Sequence, residues 1–200
     1  FTFLKESEKR YDLSVRLWKK ASGSQIALFP NLNARDEVWR DLFQDVRFRR
    51  ALSIAIHRAE INQVIYYGLA QESQNTVLRE SPLYKDAYRK AWAAFDPAHA
   101  NKLLDEVGLT KRNDDGLRLL PDGRPAVITV ETAGESTEQT DVLELVRDGW
   151  RRVGVKLLSK PSQREVLRQR IYSGDTIMSI WSGVSNGIPT ALMSPSEFSP

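Results

Sequence analysis

Strand-like and helix-like periods alternate through the last third of this 200-residue chain, and few architectures accept that alternation. Val127–Thr132 is a β-branched run. Thr137–Val153 follows, with Val142, Val146, Trp150 and Val153 on one helical face and Gly154 as the stop. Val155–Leu158 is a short strand. Ser162-Gln163-Arg164-Glu165 reads as a capping box opening a second helix. Val166, Leu167 and Ile171 form its inner face, Arg170 lies alongside by its alkyl stem, and Gly174 ends it. Thr176–Trp181 is the last strand. A β-α-β-α-β order makes parallel strands with right-handed crossovers. Ligands in such open sheets sit outside the carboxyl ends of the strands. That rule selects the loops Ala133–Ser136, Ser159–Ser162 and Ser182–Pro189 as the candidate site.

The preceding residues supply a cover and an entry. Asp45 is placed to cap a helix carrying Phe48, Ala51, Leu52 and Ala55 on one face. His57-Arg58 interrupts the pattern, and a second short helix with Ile61, Val64 and Ile65 ends at Gly68. An Asp at position 57 would suit the helix start better than His, so His57→Asp is expected to stabilise the chain. Asp96-Pro97 starts a further helix with Ala100, Leu103, Leu104 and Val107 inward and Gly108 as its stop. Leu117–Leu120 and Val127–Thr132 flank a Pro121-Asp122-Gly123 turn and read as a hairpin. Asp12–Trp18 alternates as a half-buried strand. With Gln25–Pro30, across the Ser22-Gly23-Ser24 turn, it reads as another hairpin. Ala70–Tyr84 has no period and is expected to be a long loop.

Composition closes off several functions. Twenty-nine basic and 26 acidic residues leave a net charge of +3, with the two signs interleaved, which gives nucleic acid no basic face. Without cysteine there are no disulfides and no thiol chemistry. No apolar run approaches the roughly 18 residues that cross a bilayer. Phosphate-binding glycine loops and the serine-hydrolase elbow are missing. His57 and His99, the two histidines, stand apart from any ligand cluster, so no metal and no cofactor are expected. The binding character lies in Trp181–Thr190, where a Trp at a strand end precedes hydroxyls, an amide and glycines. On composition it fits a platform for a polar ligand and a core Trp closing the sheet equally well.

Two motifs carry a resemblance. The run from Asp45, with Arg47, Arg49, Ala51, Leu52, Ala55, Ile56 and Arg58, resembles the hallmark segment of the family 5 extracellular solute-binding proteins of ABC importers. His57 stands where that family usually has Asp. The stretch from Phe95 through Asp96, Pro97, Ala100, Leu103, Leu104, Gly108 and Leu109 resembles a second family pattern, with Phe95 for Tyr. The likeness runs from about Gln25 to Pro189.

The resemblance implies an α/β lobe of the periplasmic-binding-protein type (type II), its mixed sheet built on the βαβαβ unit and flanked by helices. Residues 1–36 would be a hairpin and inter-lobe crossover, and residues 37–200 the ligand-binding lobe of a longer two-lobed protein. The start at Phe1 and the Ser- and Pro-rich end, Ser194–Pro200, lead to the same expectation of a fragment lacking its signal peptide. The implied activity is capture of a small solute (an oligopeptide, a sugar or similar) and delivery to ABC permease membrane subunits. The full-length protein would be a bacterial periplasmic or extracellular monomer with neither catalysis nor nucleic-acid binding. Trp181, Ser182, Gly183, Ser185 and Asn186 become candidate ligand-binding residues, joined by Glu135 and Asn31. For Asn31 a plain turn residue is the favoured reading. Peptide-binding members place an acid in the last loop, whereas this chain has Gly183, Val184 and Ser185 there. The alternative is a small α/β enzyme using the same loops, or a non-catalytic interaction domain.

Overall fold

A computed structural model describes residues 2–18, 20–184 and 188. The described elements, in chain order, are α1 (Thr2–Ser7), β1 (Ala27–Pro30), α2 (Glu37–Gln44), α3 (Val46–Ile54), α4 (Arg58–Tyr66), α5 (Asp86–Lys90), α6 (Pro97–Glu106), β2 (Val127–Thr132), α7 (Thr137–Arg152), β3 (Lys156–Pro161), α8 (Arg164–Ser173) and β4 (Met178–Trp181). They build one mixed sheet in the order β1-β4-β2-β3. β2 runs parallel to β3, from Val127 opposite Lys156 to Thr132 opposite Pro161, and parallel to β4, with Val130 opposite Met178. β1 closes the sheet antiparallel to β4, Ala27 facing Trp181 and Pro30 facing Met178. The three parallel strands expected from the alternation are therefore present, with α7 and α8 as their crossovers.

Strand alternation divides the sheet into two faces. Ile128, Val130, Met178 and Ile180 are buried in one core with Val142, Leu143, Val146 and Trp150 of α7. Glu131 points the other way and meets Arg170 of α8. The core continues into the helical part through a ring cluster of Trp39, Phe43 and Phe48, with centroids 5.5 to 6.3 Å apart. The Trp150 indole N–H donates to Leu52 O at 3.0 Å and ties α7 to α3. Asp45 and Asp96 cap α3 and α6 as their positions predict. His57 caps α4, its Nδ1 accepting from the Glu60 N–H at 3.0 Å.

Four expectations are corrected. Asp12–Trp18 forms no strand, and the hairpin within residues 1–36 is absent. Leu13, Leu17 and Trp18 are exposed, so their alternation has no apolar surface to face, and β1 pairs with the more distant β4 instead. The capping box does not form. The Ser162 N–H donates to Thr132 O and prolongs the β2–β3 ladder, so α8 starts at Arg164 behind Gln163, which makes no side-chain cap bond. Val166 is exposed, leaving Leu167 as the buried anchor of α8. The Pro121-Asp122-Gly123 turn is real, but its arms are short. Leu120 N donates to Arg124 O and Ala126 N to Arg118 O before β2 leaves for its parallel neighbours.

Candidate functional site

The carboxyl ends of β2, β3 and β4 come out at one edge of the sheet, and a chain of three side chains joins their loops there. Glu135 lies in the loop after β2, Arg164 opens α8 just after β3, and Trp181 ends β4. The Arg164 guanidinium lies 5.1 Å from the Trp181 ring centroid. Its Nε donates to Glu135 Oε1 at 3.1 Å and its Nη2 to Glu135 Oε2. Glu135 raises the pKa of Arg164 further by this hydrogen-bonded pairing. Trp181 is half-buried, so one ring face carries the cation while part of the ring stays accessible. A shallow depression of about 500 Å³ runs beside this row, lined by Gly134, Glu135, Ser162, Gln163 and Arg164 among others.

On the other face of the sheet a larger groove, about 830 Å³, passes between β1, β4, α4, α7 and the stretch after α4. Leu28, Ile61, Val146, Met178 and Ile180 give it apolar walls. At its Gln25 end the Tyr66 hydroxyl donates to Glu138 Oε1 at 2.8 Å, and Gln25 Nε2 reaches Glu138 Oε2 at 3.4 Å. Burial and the Glu138 bond both push the Tyr66 pKa up. Arg58 stands in the groove wall. It donates to Ser53 O at 2.8 Å, Ser53 Oγ at 2.9 Å and Ala93 O at 3.2 Å. Burial lowers its pKa to about 10, against the opposing charge of Glu72. The bond to Ser53 O places the cation at the C-terminus of α3, a structural use of its charge.

The loop after β4 is pinned from two sides. Gly183 N donates to Ser24 O at 3.0 Å and Gly23 N to Val184 O at 2.8 Å. Val184 N donates to Asn75 Oδ1 at 2.9 Å.

Of the residues singled out in the sequence, Trp181, Ser182, Gly183 and Glu135 lie together at this edge. Ser185 and Asn186, with Pro189, lie outside the described residues. Asn31 is at the opposite edge, beyond the β1 residue that faces Met178. Its Nδ2 donates to Thr176 O at 2.9 Å and Ile171 O at 3.4 Å, and its Oδ1 accepts from Asn33 N. It fastens β1 to the turn before β4. Sequence reasoning missed Arg164, although it lies two residues past a selected loop, because the presumed capping box assigned that turn to the helix. It also missed Asn75, for which only the absence of a period around it was a signal. Among the described residues no group of three or more His, Asp or Glu side chains is arranged to hold a metal. No described helix is long and apolar enough to cross a membrane.

A mixed sheet with two parallel crossovers, helices on both faces and loops gathered at one edge defines a lobe of a type II periplasmic binding protein. The solved oligopeptide-binding protein OppA has the same architecture, with 38% identity and a TM-score of 0.80 over 90% of this chain and 28% of that one. NikA from Brucella suis, solved with Fe(III)-EDTA, is alike in fold, with a TM-score of 0.74 at 22% identity over 98% of this chain and 36% of its own. Residues 2–198 match the model of the bacterial extracellular solute-binding proteins, family 5 (middle), and the chain belongs to that family. A probable ABC transporter-binding protein of Deinococcus radiodurans is 30% identical over 118 residues, 58% of this chain and 19% of the relative. A putative ABC transporter peptide-binding protein of Brucella ovis is 28% identical over 152 residues, 73% of this chain and 26% of the relative. The chain thus spans about a quarter or less of the length of these curated relatives.

Proposed function

We propose that this chain is one lobe of the solute-binding component of a bacterial ABC importer. In this reading residues 37–200 form the body of the lobe, and residues 1–36 carry the chain across from a second lobe and add β1 to its sheet. A small solute is held between the lobes and handed to the permease subunits in the membrane. The protein works as a monomer outside the cytoplasmic membrane, without turnover and without nucleic acid.

One observation carries the reading: Glu135, Arg164 and half-buried Trp181 meet at the carboxyl ends of the parallel strands, where open α/β sheets take ligands. Half-buried Ser182 extends that surface, Gly183 is buried behind it, and Ser185 and Asn186 follow them in the chain. The solute class stays broad because likenesses to this fold include proteins solved with a nonapeptide and with stachyose. Val184 and its neighbours offer no carboxylate to a ligand amine, whereas Glu135 and Arg164 offer both charges.

The test is native mass spectrometry of the full-length protein as purified, followed by identification of whatever is released on denaturation. The expected result is one small solute, recovered chemically unchanged after prolonged incubation. Conversion of the solute during incubation would favour an enzyme and overturn the binding-only reading.

A further inference from the structure

Asn75 belongs to a long stretch without regular structure, yet it is fitted to the loop after β4. Its Oδ1 accepts the Val184 N–H at 2.9 Å. The same oxygen lies only 2.2 Å from where a Cβ on Gly183 would stand, and Ser24 Cβ lies 2.5 Å from that point. A Cβ on Gly23 would meet Thr76 O at 2.2 Å. Both glycines are thus required by close approach of neighbouring chain, and neither by its backbone angles. Two backbone bonds, Gly183 N to Ser24 O and Gly23 N to Val184 O, complete the junction. Three segments distant in sequence therefore interlock around one amide side chain, two to three residues along the chain from Trp181.

We infer that Asn75 is a positioning residue: it sets the place of the 182–184 loop and so the shape of the solute site next to Trp181. This rests on the binding role proposed above. The side chain acts through the loop, because its acceptor atom is already used by Val184. A loop held by a side chain from a separate stretch presents its backbone groups in one arrangement, which lowers the ordering cost of capturing a solute.

The experiment uses the full-length protein and its Asn75→Ala, Asn75→Asp and Gly183→Ala variants. Hydrogen exchange of the Val184 amide, followed by NMR, needs no solute. Asn75→Ala is expected to speed that exchange about three- to tenfold, the effect of losing one hydrogen bond. Asn75→Asp keeps the acceptor and should stay near the parent rate. Gly183→Ala, which crowds the same oxygen, should reproduce the fast exchange even where Asn75→Ala is poorly folded. A role confined to the stretch around Asn75 would lower the thermal midpoint and leave Val184 exchange unchanged, and that result overturns the inference. Thermal shifts with pentaalanine and with stachyose form the second arm. Whichever raises the parent midpoint should raise that of Asn75→Ala less, with Asn75→Asp restoring the response. Fast exchange with an undiminished response would also overturn the inference, since the loop would then not shape the site. If neither probe shifts the parent, it is the solute classes that are wrong, and Val184 exchange alone still decides whether Asn75 holds the loop.

Discussion

The guanidinium of Arg164 lies 5.1 Å from the ring centroid of Trp181, so a residue that opens a helix covers the residue that ends a neighbouring strand. Arg164 opens the crossover from β3 and Trp181 ends the strand that crossover leads into, and they meet because both strands run parallel to β2, one on each side of it. Trp181 is then a support for Arg164 as well as a ring of its own. In the full-length protein, Trp181→Ala is expected to weaken solute binding by about 1–3 kcal/mol. Its effect on folding should stay below the roughly 3–5 kcal/mol typical of a fully buried Trp. Calorimetric titration with the co-purified solute and denaturant unfolding, run on one variant, check both. A strongly destabilised variant with normal affinity would make Trp181 purely structural.

Glu131 is only 3% exposed and lies in the central strand, where Arg170 pairs with it bidentately at 2.8 Å and Lys160 stands 3.9 Å away. Burial by itself raises the pKa of this carboxyl. The bonds and charge of Arg170, with the charge of Lys160, overcome that and hold it below the usual carboxylate range. A depressed folded pKa means stability present above the unfolded pKa and lost as pH falls through the folded one. Arg170→Ala is expected to cost about 3 kcal/mol near neutral pH, because it strands a buried charge. The cost should shrink in acid, where Glu131 is neutral. Unfolding of both proteins from about pH 7 to pH 3 reads this directly.

Gly149 sits inside α7, where Ala normally gains about 1 kcal/mol over Gly. Here a Cβ would stand 2.2 Å from the carbonyl oxygen of Ala55, a backbone atom at the end of α3. Gly149→Ala should therefore destabilise by about 2 kcal/mol or more, against its propensity. A raised denaturant midpoint would show that the two helices separate easily.

His57 changes an expectation drawn from sequence. It caps α4 through Nδ1, and its ring lies 4.4 Å from that of Phe95. Asp would keep the cap and suit the helix dipole, but it would lose the ring contact. His57→Asp is now expected to change stability by less than about 0.5 kcal/mol, and His57→Ala to cost about 1 kcal/mol. Midpoints of the two variants measured side by side separate capping from ring packing.

Local chemistry in the sequence determined the three parallel strands, the α3–α4 pair, the caps at Asp45 and Asp96, and the loops where Trp181 and Glu135 lie. Each follows from periodicity or from a side chain bonding its own neighbourhood, and such signals survive without knowledge of distant partners. Only tertiary structure decided that β1 pairs with β4, more than a hundred residues away, while Asp12–Trp18 forms no strand. It also decided that Ser162 spends its N–H on Thr132 and not on a helix start. Strand direction, a property of the pairing, also placed Asn31 just past the carboxyl end of β1, where its amide bonds Thr176 O and Ile171 O. Arg164 on Trp181 and Asn75 on Val184 have no local signature at all. Both contacts join segments brought together by packing, and neither segment encodes the other's position.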